Sequence, residues 1–182
     1  MDDARAPQAP WPDDEFIDYA QARQHTLLRA AYLVCGDLRV AEGLVRSALV
    51  QLARQWDRVR EEQPDLFVRR VLYRDAIASW RHRPPEQVAT VPWDEADEAD
   101  EADGLWDTEE VERRREVLRA LDALTPRQRA VVVLRWFEER GEREVAEVLG
   151  CSVGTANSEG AQALGRLRDA LPRADLGTGG LR

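Results

Sequence analysis

Residues 69–83 carry five arginines, Arg69, Arg70, Arg74, Arg81 and Arg83, with Tyr73 and Trp80 among them. A guanidinium is a planar, permanently charged fork that grips phosphate oxygens, and an aromatic face can stack on an unpaired base. Interleaved, the two side-chain types describe a surface for single-stranded nucleic acid. The competing reading is an ordinary solvated arginine face with Trp80 in the core. A second constellation lies at Ser152, Val153, Thr155, Asn157, Ser158, Gln162 and Arg166. The amides of Asn157 and Gln162 have the donor and acceptor pair that reads adenine in the major groove. No cation stands between Cys151 and Arg166, and Glu159 would meet phosphates with like charge.

Other chemistries find no support in the residues. No nucleophile and base, metal-ligand cluster or phosphate-cradling glycine loop is recognisable. The two cysteines, Cys35 and Cys151, and the two histidines, His25 and His82, lack zinc or catalytic spacing, and the cysteines read as buried thiols. The expectation is a non-enzyme with no catalytic residue, metal or cofactor.

The elements that must position these residues read as helices. Phe16, Tyr19, Ala20, Leu27, Leu28, Ala31, Tyr32 and Val34 form a helical apolar set that stops at Gly36-Asp37. A second helix starts near Leu38, with Ala41, Leu44, Val45, Ala48, Leu49, Leu52 and Trp56 as one long buried stripe. A third begins after Pro64 and runs to Pro84, carrying the arginine and aromatic cluster. Further on, a helix over residues 112–124 precedes Thr125-Pro126-Arg127-Gln128, in which Thr125 is the N-cap, Pro126 the first helical residue and Gln128 the partner of a capping box. That helix carries Val131 to Phe137 and breaks near Gly141. From Glu142 the pattern fits a helix-turn-helix: Ala146 where the helices cross, Gly150 in the turn, Val145, Leu149, Cys151 and Ala156 inward, and Ser152 capping the second helix. An αα-hairpin without DNA contact is the alternative. Gly160 and Gly165 inside the last helix weaken it by about 1 kcal/mol each relative to alanine.

The chain has 182 residues and a formal charge of −9, with 35 acids against 26 bases, all arginine. Overall acidity argues against nucleic acid, but the charge is unevenly placed. Residues 13–83 are net +1 and residues 113–173 net +3, whereas residues 84–112 hold 12 acids and no base. This acidic stretch, with Pro84, Pro85, Pro92 and a triplet repeat from Asp94 to Asp103, reads as a flexible linker between two small helical domains, with tails at 1–12 and 174–182. Trp93 and Trp106 within it are candidates for docking on a basic surface. No apolar run long enough to span a membrane and no signal peptide is recognisable, so the expected location is the cytoplasm.

Read together, AAYLVCGDLRVAEGLVRSALVQLARQWDRV, LFVRRVLYRDAIASWRHR and LTPRQRAVVVLRWFEERGEREVAEVLGCSVGTANS resemble the extracytoplasmic-function RNA polymerase sigma factors, actinobacterial type, over about residues 13–171. The resemblance implies an all-α fold with a domain two of three or four helices and a domain four containing the helix-turn-helix. It implies that the protein binds core RNA polymerase, through the beta-prime clamp helices and the beta flap, and leads it to promoter DNA. Glu42, Leu44, Val45, Arg46 and Leu49 would face polymerase. Arg69, Arg70, Tyr73, Arg74, Trp80, Arg81 and Arg83 would meet the opened −10 strand. Arg127, Arg129 and Arg143 join the helix-turn-helix residues in reading the −35 element. An anti-sigma factor or another transcription regulator is a further candidate partner.

The chain departs from the family pattern where that pattern carries charge or a polar group. Gly43 stands where an acid is usual, Arg46 and Ser47 where Gln-Glu is usual, Arg74 where Asn, Ala78 where Asp, and Ser79 where Arg is common. Asn157 replaces Lys, and Arg is usual near Gln162. These changes weaken the expected contacts with polymerase and promoter, and they motivate a second reading: a degenerate sigma-like regulator acting through protein contacts. If the linker screens the domains from phosphates, a neutral spacer in place of residues 94–110 raises DNA affinity, and an unchanged salt slope in binding titrations refutes screening.

Overall fold

The computed structural model describes residues 13–80, 116, 117 and 119–170. The expected linker, both tails, Arg81 and Arg83 lie outside the described residues. Helix α1 (Asp14–Cys35) opens with the Asp13 carboxylate accepting the Phe16 N–H at 3.1 Å. It closes at Gly36, whose φ of 71° lets its N–H reach back to the Tyr32 carbonyl. One residue later Asp37 caps helix α2 (Leu38–Ala53) by accepting the Val40 N–H. A left-handed glycine C-cap followed directly by an aspartate N-cap turns the chain sharply, so α2 folds back along α1.

The expected long stripe on α2 is interrupted. The helix ends at Ala53, and Trp56 sits instead in a one-turn helix, α3 (Trp56–Val59). The break places the indole edge-on against Phe16, with ring centroids 5.3 Å apart. Helix α4 (Pro64–Ser79) starts with proline in its first turn, and the expected stretch from Arg81 to Pro84 lies outside the described residues. Val68, Val71 and Leu72 of α4 join Leu27, Ala31, Ala41, Val45, Ala48 and Leu52 in the first core.

Further along the chain, residues 119–122 are helical. Helix α5 (Pro126–Val132) has the predicted capping box: Thr125 Oγ1 accepts the Gln128 N–H, and Gln128 Oε1 accepts the Thr125 N–H. The sequence suggested an unbroken α-helix to Phe137. The chain instead widens into a π-helix over Val133–Phe137, closed by the Glu138 N–H donating to the Val133 carbonyl at 2.9 Å. Helix α6 (Glu142–Val148) and helix α7 (Val153–Ala170) then form the helix-turn-helix, with Gly150 at φ 59° in the turn.

A second apolar cluster joins the two halves of the chain. Ala30 and Val34 of α1 and Tyr73 and Ala76 of α4 pack with Ala130, Val131, Val133, Leu134, Val145, Ala146, Val148 and Ala156. Small side chains on both sides allow the helices to approach closely. Gly160 of α7 serves the same end, since a Cβ there would lie 3.4 Å from Val131 Cγ1.

The two glycines predict opposite outcomes. Gly165 is helical with open space around its would-be Cβ, so Gly165→Ala raises unfolding free energy by about 0.5–1 kcal/mol. Gly150→Ala places a side chain at positive φ and lowers it by about 1 kcal/mol. Urea denaturation of the two variants checks both signs.

Candidate nucleic-acid interface

The arginine and aromatic face of α4 is present, but the second half of the chain covers much of it. Arg69 is 3% exposed and its Nε donates to Glu138 Oε2 at 2.5 Å. The same guanidinium donates to the Asp65 backbone carbonyl and pairs with the Asp65 carboxylate at 3.4 Å. Tyr73, 1% exposed, donates its hydroxyl to Glu138 Oε1 at 2.7 Å. One carboxylate therefore uses both oxygens to hold two residues expected to meet nucleic acid. Burial first, and then the Glu138 carboxylate, push the Tyr73 phenol well above its ordinary range. Burial alone would lower Arg69, but attraction and hydrogen bonding to Glu138, joined by the Asp65 carboxylate and Tyr73, together more than offset it and hold the guanidinium above its ordinary value.

Arg70 lies further out and makes two bonds to Glu147 of α6, from Nε to the backbone carbonyl and from Nη2 to Oε1, both at 3.1 Å. The Trp80 indole N–H donates to the Val34 carbonyl at 3.0 Å, and the Arg129 guanidinium lies over its ring at 4.8 Å. Arg74 is exposed and is drawn toward its neighbour Asp75 at 2.8 Å, a hydrogen bond that raises its pKa. Sequence reasoning found the α4 residues and missed Glu138 and Glu147. Both stand in a charge-rich stretch that looks solvated, and nothing local signals a partner 69 or 77 positions away.

The helix-turn-helix face is open. Ser152, Val153, Thr155, Asn157, Ser158 and Gln162 are exposed along the first turns of α7, as is Arg166 further along. Ser152 Oγ accepts the Thr155 N–H, which fixes the start of the helix. Asn157 Nδ2 donates to Glu142 Oε2 at 2.9 Å, and Gln128 Nε2 donates to Gln162 Oε1 at 3.3 Å. Glu142 also pairs with Arg135 at 3.6 Å. Arg143 is exposed and Arg127 half-buried. Arg129 is turned inward at 2% exposure: its Nε donates to the Leu121 carbonyl, and it pairs with Asp122.

On α2, Glu42 and Arg46 are exposed, Leu44 and Leu49 half-buried, and Val45 lies in the core. Gly43 is exposed beside them. The same helix exposes Val40 and Val50, which sequence reasoning did not single out. Neither cysteine forms a disulfide: Cys35 is buried, its thiol donating to the Asp37 carbonyl, and Cys151 is half-buried. Among the described residues no group of side chains could hold a metal ion, and no helix is long and apolar enough to cross a membrane.

Residues 114–167 match the family described as Sigma-70, region 4. The chain is 34% identical over 168 residues to the RNA polymerase sigma-E factor of Streptomyces coelicolor, covering 89% of each chain. It is 36% identical over 163 residues to the protein of the same name in Streptomyces avermitilis, covering 89% of this chain and 88% of that one. The chain belongs to the extracytoplasmic-function RNA polymerase sigma factors. Its fold resembles the sigma factor RpoE, solved in complex with the anti-sigma factor NepR from Bartonella quintana, with a TM-score of 0.63 at 18% identity over 87% of this chain and 98% of the other. The all-α expectation and the family resemblance both hold. As an alternative sigma factor, the protein serves transcription initiation with RNA polymerase and promoter DNA.

Burial separates the cations of this sigma factor into two kinds. Arg129→Ala leaves Asp122 and the Leu121 carbonyl without their donor and costs about 2–3 kcal/mol of stability. Arg143→Ala and Arg166→Ala, on exposed side chains, change stability by less than about 0.5 kcal/mol. Guanidinium denaturation monitored by tryptophan fluorescence distinguishes the two groups.

Proposed function

We propose that the sigma factor works as two functional units, residues 13–83 and 113–173, that engage the promoter at two places without catalysing a reaction. In this reading α2 presents Glu42, Arg46 and the flanking apolar side chains to core polymerase, and α4 receives the opened strand. Helix α7 enters the major groove of the upstream element. The observation that carries the reading is the exposed face of α7, where three hydroxyls, two amides and a valine are displayed from one capped helix start. The protein acts in the cytoplasm, where its polymerase is. Because the RpoE neighbour was solved with an anti-sigma factor, a protein partner of that kind is also proposed for this chain.

The sparse charge of the α7 face sets its strength. Asn157 is engaged by an acid, and no cation precedes Arg166 in the helix, so base contacts must work with few phosphate anchors. Purified core enzyme plus this protein is expected to start transcription at a cognate promoter, and failure on every fragment of the source genome overturns the proposal. Asn157→Lys adds one phosphate contact, tightens duplex binding and steepens the salt dependence of log K by about one unit. Anisotropy titrations at several salt concentrations measure it.

A further inference from the structure

The residues on α4 that would grip a DNA strand are matched by residues of the second half of the chain. Glu138 occupies Arg69 and Tyr73, Glu147 occupies Arg70, and Arg129 covers the Trp80 ring. A carboxylate and a phosphodiester present the same chemistry to a guanidinium, anionic oxygens that accept charge-assisted hydrogen bonds. We propose that Glu138 and Glu147 act as built-in strand mimics, so that the closed chain and a single-stranded DNA are mutually exclusive occupants of α4. The proposal rests on α4 being the strand surface.

Three features make this closure reversible. The buried apolar part of the junction is mostly alanine and valine, with Tyr73 and Leu134 as its larger members, so most of its residues bury little area each, as at an interface between domains. Arg69 keeps a second partner, Asp65, on its own helix. Its charge is therefore not orphaned when Glu138 leaves, which removes the main penalty for breaking a buried pair. Finally, Glu138 follows directly on the π-helix, and Glu139 beyond it holds a positive φ of 55°. The carboxylate is thus aimed by a locally irregular backbone, a feature that recurs at functional sites.

A strand that binds only the open chain has its apparent affinity reduced by the open fraction. The test uses the full-length chain without polymerase and a fluorescein-labelled single-stranded DNA of mixed sequence. Glu138→Gln combined with Glu147→Gln is expected to bind the strand about 5- to 150-fold more tightly than the wild type, the span of a typical coupling between two states. Small-angle scattering should show the variant to be more extended. Glu147→Gln alone, which alters a half-exposed pair, is expected to give a smaller gain and serves if the double variant does not fold. Equal affinities for wild type and variant, or an extended variant that binds no better, overturn the proposal. Transcription by polymerase carrying Arg74→Ala, a residue exposed in the closed chain, tests the strand surface separately. Loss of promoter opening there, together with equal affinities above, retires the mimicry and leaves the α4 reading in place.

Discussion

A carboxylate buried at a helix junction must find donors for both of its oxygens, and Glu138 finds them on a helix 65 and 69 residues away in sequence. Much of the arrangement follows from that demand. Arg69 and Tyr73 stand four residues apart, one turn along α4, and so project from one face toward the same acceptor. The π-helix after α5 widens the backbone by one residue and changes the direction in which the following residues leave it. Val133 and Leu134 turn into the shared cluster, Trp136 and Phe137 turn outward, and Glu138 reaches α4. An α-helix continued through this stretch would send the carboxylate in another direction.

The small residues at the junction serve the same geometry. Ala30, Ala76, Ala130 and Ala146 keep the helices close enough for the short Glu138 side chain to span the gap. Gly160 lets α7 lie against Val131 and Trp136, which joins α7 firmly to α5 and the π-helix that follows it. The glycine thus gives up helix propensity in return for close packing. Gly165 has no neighbour that requires it.

Electrostatics divides the two surfaces. Around α4 the cations are numerous and largely engaged by acids of the same chain. On α7 the face is exposed, its two amides are bonded to Glu142 and Gln128, and it has almost no cations. Neither surface presents an unopposed positive field, in keeping with the modest net charges of the two flanking blocks. If these are the recognition surfaces, as proposed, they act through short-range hydrogen bonding and stacking more than through attraction at a distance.

Much of the local structure was legible in the residues. Thr125 as a cap, Pro64 and Pro126 at helix starts, Gly36 and Gly150 at helix ends and turns, and the inward set of the helix-turn-helix all follow from rules acting within a few residues. The helical class and the exposed α7 face were therefore readable, because cap chemistry and apolar periodicity are written locally. The break at Ala53, the π-helix, the inward turn of Arg129 and the burial of Arg69 and Tyr73 were not. Each is decided by a neighbour far along the chain: Phe16 for Trp56, Leu121 and Asp122 for Arg129, Glu138 for Arg69 and Tyr73. An arginine reads the same in sequence whether it faces a phosphate or a glutamate, since both satisfy the same fork. Sequence alone determined which side chains could hold an anion, and only the tertiary structure decided which anion holds them here.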